Sequence, residues 1–188
     1  TTMEKISKLK PVFTEDGTIT AANASPLTDG GAVVLLADEA YARKKGWPIL
    51  ALLDEFEVAA VDIRSEGLLM APSYAIHRLL KRTNKTLVDF DIIEIHEAFA
   101  AQVLCNLKAL SSADWCQKKL GGAPSPLPSF DRINPHGGSI PLGHPFGATG
   151  ARLVMQLAQE LADSKGKSGM ISICAAGGLG FVATLRRT

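Results

Sequence analysis

The 188-residue sequence reads as an α/β layered domain with a mixed five-stranded sheet and helices on both faces. Three observations carry this reading. Apolar runs of strand length alternate with stretches whose apolar residues gather on one helical face. Glycine-rich turns follow strands and open helices. The last two runs, 169–175 and 181–185, flank Gly177-Gly178-Leu179-Gly180 and read as a hairpin with Cys174 at its tip.

In chain order, residues 3–10 form a short amphipathic helix stopped by Pro11, and 13–20 are extended or turning. Asn23-Ala24-Ser25-Pro26 and Asp29-Gly30-Gly31 are turn-forming. Residues 32–37, Ala-Val-Val-Leu-Leu-Ala, are continuously apolar and short enough for a buried strand. Asp38 then caps a helix through Lys45 that Gly46 closes. Residues 49–58 are a second strand, and 61–68 a connecting loop. A helix over 73–83 turns Ala75, Ile76, Leu79 and Leu80 inward and leaves His77 on the solvated face. Residues 91–95 form a strand that delivers His96 at its C-terminal end, where open α/β sheets gather their chemistry. The helix over 98–110 holds Cys105 among apolar neighbours, which reads as a buried structural thiol. Residues 111–130, with Cys116, form a long irregular insertion. The helix over 148–163 is apolar around most of its circumference, so it is expected between two layers.

Bulk properties narrow the function. With 46% hydrophobic and 21% charged residues, the chain can bury a real core. A net charge of +1 argues against a general nucleic-acid or anionic-membrane binder. Three cysteines without metal-like spacing argue against a disulfide scaffold and for a reducing compartment, either bacterial cytoplasm or an organelle matrix. No apolar run has the length of a transmembrane segment. The first ten residues lack the apolar core of a signal peptide and read as a chain already under way.

Three motifs carry chemistry. In Asn134–Gly150, five glycines and three prolines set His144 between Gly143 and Pro145, just before a helix start. His96-Glu97-Ala98-Phe99-Ala100 lacks the second histidine a zinc-protease helix needs, and His96 alone is equally a structural hydrogen bonder. His136 reads as a turn residue. Gly-Ala-Thr-Gly and Gly-Leu-Gly match neither a dinucleotide fingerprint nor a phosphate loop. Cys174 precedes Ala175-Ala176-Gly177-Gly178-Leu179-Gly180, a glycine-rich strand tip with free backbone N–H groups. His96, His144 and Cys174 together suit acid–base chemistry on a sulfur substrate.

These motifs, in this order and spacing, resemble the thiolase family over essentially the whole chain. His-Glu-Ala-Phe, the 111–130 insertion and Cys-Ala-Ala-Gly-Gly are most similar to the fatty-acid-oxidation branch that includes trifunctional-enzyme β-subunits. The resemblance implies CoA-dependent cleavage of 3-ketoacyl-CoA, or the reverse Claisen condensation, with acyl-CoA and CoA as substrates, no cofactor and no metal. It implies that His144 activates a nucleophilic cysteine and Cys174 shuttles a proton, while His96 orients a water or donor in one oxyanion hole. Backbone N–H groups at Ala176 and Gly177 serve a second hole, Ser25 lies near the pantetheine, and Phe99 lines the acyl pocket. The family's nucleophile sits in an N-terminal half, and neither Cys105 nor Cys116 matches its context. Residues 1–44 are then the tail of that half and 45–188 the C-terminal domain. The expectation is an incomplete site, inactive alone, that needs the other half in cis or trans, with a truncated non-catalytic assembly or binding module as the alternative. A homo-oligomer is also expected. A ketosynthase-type condensing enzyme is disfavoured because such enzymes carry histidine where Cys174 stands.

Overall fold

A computed structural model describes residues 1–188. The helices are α1 (Met3–Ile6), α2 (Glu39–Lys45), α3 (Ile63–Glu66), α4 (Ala71–Thr83), α5 (Ala100–Ser111), α6 (Ala113–Trp115), α7 (Ser139–Leu142) and α8 (Thr149–Ser164). The strands are β1 (Leu52–Ala60), β2 (Ile92–Ile95), β3 (Ser168–Ala175) and β4 (Leu179–Arg186). They form one mixed sheet in the order β1-β4-β3-β2, with β2 and β3 parallel and the other pairs antiparallel.

Alternation along the central strands divides the core. On one side, Met170 and Val182 meet Leu79, Leu80, Val103 and Leu107 from α4 and α5. On the other, Ile171, Ala183 and Leu185 meet Leu153, Leu157 and Leu161 from α8. The layered α/β architecture with helices on both faces is therefore as the sequence indicates. Local signals also hold: the Asp38 side chain accepts from the Tyr41 N–H, and Gly46 closes α2 at φ 65°. Gly180 lets β4 approach the start of α4, since a Cβ there would collide with the Ala71 and Pro72 backbone.

Several expectations need correction. The sheet has four strands, because 32–37 pairs with nothing; Val33, Leu35 and Leu36 are exposed. An apolar run supplies strand propensity, but a strand exists only where a neighbouring backbone completes the ladder. Residues 61–68 contain a helical turn, α3, whose N-cap Asp62 accepts from the Arg64 N–H. The 111–130 stretch begins with compact turns rather than an irregular loop. There Cys116 is fully buried, its Sγ 3.4 Å from each of the Ala109 and Leu110 carbonyl oxygens. Cys105 is exposed, because α5 turns Gln102, Val103, Asn106 and Leu107 inward and position 105 falls opposite them. His77 is half-buried beneath Gly122, where an added Cβ would meet its ring. α8 packs one face on the sheet; Val154, Met155 and Ala158 border an open apolar groove of about 740 Å³ rather than a second layer.

Candidate active site

Parallel pairing sets the site. Ile95 lies opposite Ser172, and the His96 N–H continues the ladder to the Ser172 carbonyl at 2.8 Å. His96 thus leaves the sheet beside the end of β3, where Cys174 lies opposite Gly180. The irregular stretch after residue 133 is held to the same strand end by Asn134, in the left-handed conformation at φ 47°. Its Oδ1 accepts from the Ile95 N–H at 2.7 Å, and its Nδ2 donates to the Ile95 carbonyl at 3.0 Å and Glu97 Oε1 at 2.7 Å. Glu97 Oε2 accepts from the Ile140 N–H at 3.0 Å, so Glu97 ties the His96 loop to α7. Gly138 is packed so closely on Glu97 that no Cβ fits.

The early segment closes another side. The Ser25 N–H donates to the Ala98 carbonyl and the Ala100 N–H to the Asn23 carbonyl, while the His144 N–H reaches the Pro26 carbonyl at 3.1 Å. Ser25 therefore borders the His96 loop, and Phe99 packs edge-on against Phe13 with centroids 6.0 Å apart. Gly143, at φ 103°, lets Thr28 approach the backbone beside His144.

The two histidine rings lie close at a tilt, with centroids 4.0 Å apart and planes at 38°. Their hydrogen bonds imply opposite tautomers. Thr149 donates its hydroxyl proton to the Pro145 carbonyl, so its oxygen accepts the Nδ1–H of His144 at 2.8 Å. That leaves His144 Nε2 with a free lone pair. Ser139 Oγ accepts from Arg152 Nη2 at 3.2 Å and lies 2.7 Å from His96 Nδ1, the available acceptor for its proton. When Ser139 gives its proton to that nitrogen, His96 carries its own on Nε2 and can act as a donor. Burial, then the nearby charges of His144 and Arg152, lower His96 to about 4; burial and Arg152 lower His144 as well. Both rings are neutral at pH 7.

Cys174 is buried, and this pushes its thiol up to about 11 despite the opposing backbone N–H groups of Cys174 and Ala98. It is a thiol, not a thiolate, at neutral pH. Beyond it Ala176 and Gly177 are exposed in the hairpin turn, and their N–H groups have no acceptor within the chain. Three neighbours escaped the sequence reading. Phe146, 73% exposed, lies with its ring centroid 4.7 Å from that of His144. Arg152 and Ser139 support His96 from α8 and α7, and only the tertiary fold aligns them. His136, expected as a plain turn residue, also bonds Glu160 Oε1 at 2.8 Å. No group of histidine, cysteine and carboxylate side chains has the arrangement of a metal site, and no helix is long and apolar enough to cross a membrane.

Two family models match the chain: "Thiolase, C-terminal domain" over residues 47–187 and "Thiolase, N-terminal domain" over residues 1–40. A probable 3-ketoacyl-CoA thiolase of Caenorhabditis elegans is 47% identical over 182 residues, covering 95% of this chain and 40% of that protein. The crystal structure of the Bacillus anthracis acetyl-CoA acetyltransferase superimposes with a TM-score of 0.80 at 38% identity, over 98% of this chain and 42% of that one. Human mitochondrial 3-ketoacyl-CoA thiolase in complex with CoA gives a TM-score of 0.79 at 33% identity, over 100% and 43%. The chain spans about two fifths of the length of these relatives.

Proposed function

This chain belongs to the thiolase family, and we propose that it supplies the acid–base and oxyanion-binding part of a 3-ketoacyl-CoA thiolase site. Residues 45–188 act as the C-terminal domain and 1–44 as the tail of the N-terminal half. The carrying observation is the close pair His96–His144, whose Nδ1 atoms meet Ser139 and Thr149, at the end of the strand pair that carries the buried Cys174 thiol.

In the cleavage direction, a cysteine thiol from the N-terminal half loses its proton to His144 Nε2 and attacks the 3-keto carbon. The C2–C3 bond breaks, leaving an acyl thioester on that cysteine and the enolate of acetyl-CoA. His96 Nε2–H donates to one developing oxyanion, directly or through a water, and the Ala176 and Gly177 N–H groups donate to the other. The Cys174 thiol gives its proton to the enolate carbon. CoA thiol then returns a proton to Cys174 and, as a thiolate, displaces the acyl group to give a shortened acyl-CoA, while the departing cysteine takes its proton back from His144. Run backwards, the same steps are a Claisen condensation. Ser25 borders the pantetheine and Phe99 the acyl chain.

Neither remaining cysteine suits the acyl-accepting role. Cys116 is buried against carbonyl oxygens, and Cys105 lies on the outer face of α5. The chain therefore works with the nucleophile-bearing half, in cis or trans, in a homo-oligomer and in a reducing compartment such as cytoplasm or an organelle matrix. The test is complementation: the chain is mixed with a separately produced thiolase N-terminal half, and CoA-dependent cleavage of a 3-ketoacyl-CoA is followed. Activity in the mixture, absent from either part, is expected. No turnover from a stable, stoichiometric complex of the two overturns the proposal.

A further inference from the structure

Behind the histidine pair the chain buries a cluster of charged groups that the proposed chemistry leaves unused. Glu94, in β2, is fully buried, and neither of its carboxyl oxygens has a hydrogen-bond donor. Facing it is Glu160 of α8, 6% exposed. Glu160 Oε1 accepts twice, from His136 Nδ1 at 2.8 Å and Gln156 Nε2 at 3.1 Å, whereas Oε2 accepts nothing. Ile92, two residues earlier on the same face of β2, packs with Leu157 and Leu161 of α8, so Glu94 and Glu160 are buried in the same β2–α8 interface. One helical turn back, Arg152 donates through Nη1 to Gln156 Oε1 at 2.6 Å and through Nη2 to Ser139 Oγ, the group that bonds His96.

Two carboxylates in this setting would be like charges out of water, each with a lone pair and no proton to share. A single proton between them removes both faults. It gives Glu160 Oε2 a donor and leaves a single negative charge, on Glu160, which Arg152 reaches through Gln156. We propose that Glu94 is a carboxylic acid that donates its proton to Glu160, and that this pair anchors Arg152 and Ser139 so that His96 presents Nε2–H to the site. Glu94 and Glu160 are positioning residues; they do not touch substrate.

The surrounding electrostatics agree. Burial, followed by the Glu160 charge and hydrogen bond, drives Glu94 up to about 9. Arg152 acts in the opposite direction and is outweighed, while Glu97 adds a further small push upward. His136 reaches the pair only through Glu160.

The role of His96 rests on the function proposed above; the position of the proton does not, and the tests read no activity. Infrared spectra of the 188-residue chain, with glutamate carboxyls isotope-labelled, should contain the carbonyl band of a protonated acid at pH 7, where ordinary carboxyls are ionised. The band should vanish as the pH rises through about 9 and be absent from Glu94→Gln. Its absence from the unsubstituted chain at pH 7, or its survival in Glu94→Gln, overturns the assignment. If the variant does not fold, the pH titration of the unsubstituted chain still decides. Nitrogen NMR of the His96 ring tests the second part. The Nε2–H form is expected in the native chain, and the Nδ1–H form should gain population in Arg152→Met or Glu160→Gln, since the Ser139 hydroxyl is then no longer oriented by Arg152 and can turn to accept from His96. An Nδ1–H ring in the native chain, or an unchanged tautomer in a folded variant, overturns the positioning role.

Discussion

At His96 the imidazole has Ser139 on Nδ1, His144 across its face and almost no contact with water. These surroundings make it a neutral donor, and they also shape stability. Between its ordinary value of 6.5 and its folded value of about 4, the unfolded chain binds a proton the folded chain refuses, so His96 costs stability as pH falls through that window. Glu94 has the opposite sign. Its folded value of about 9 lies above the ordinary 4.5, so the folded chain holds the extra proton and stability falls as pH rises between them. The two effects oppose each other from about 4.5 to 6.5, and Glu94 acts alone above that. Urea midpoints should therefore decline from neutral pH toward pH 9. In His96→Asn the decline should begin at more acidic pH; an unchanged profile would contradict the buried neutral ring. For Cys174, replacement by Ala in the complete, two-half enzyme should leave acyl loading measurable by mass spectrometry. It should cut turnover by about 10²–10⁴-fold, the usual range for losing a positioned acid–base group. Turnover at the native rate would remove Cys174 from the proton path. The residue types at 96, 144 and 174 were readable as a set, but Ser139, Arg152, Glu94 and Glu160 were not. Each is ordinary in its own element and acquires meaning only from a partner far along the chain.

Among the elements, helices with a cap and a one-sided apolar pattern were read closely. Asp38 and Gly46 bound α2, and Asn84, at φ 53°, closes α4 one residue past the expected end. Such signals act within a few residues, so sequence carries them whole. α8 is the element on which the site depends, since it brings Thr149, Arg152, Gln156 and Glu160 to bear on the histidines and their supports while Leu153, Leu157 and Leu161 lock it to the sheet. Leu157 is fully buried, and its truncation to Ala should cost about 2–5 kcal/mol, depending on how far the cavity collapses. Denaturant unfolding measures this; a cost below about 1 kcal/mol would mean that α8 is not anchored as described. Asn134 illustrates the opposite case. Its sequence neighbourhood announces a turn, but its bonds to both backbone groups of Ile95, which extend the edge of β2, involve a residue 39 positions away.

For the whole molecule, the unpaired run 32–37 and the open flank of α8 create an apolar groove bordered by Val33, Leu35, Leu36, Trp47, Leu53 and Met155. Exposed apolar surface of this kind is covered in working proteins. The isolated chain should self-associate with rising concentration in light scattering, and Leu36→Glu should reduce that association; a monomer at all concentrations would show that the groove tolerates water. Sequence by itself determined the α/β class, the boundaries of the capped helices, the family resemblance and the three side chains proposed for the chemistry, because propensity, periodicity and motif spacing are properties of neighbouring residues. Tertiary structure decided whether an apolar run became a strand, which face of α5 exposed Cys105, which partner each histidine Nδ1 meets and which carboxyl groups are buried in the interior. Those outcomes depend on pairing, desolvation and charge–charge distance, quantities that exist only once segments remote in sequence have packed together.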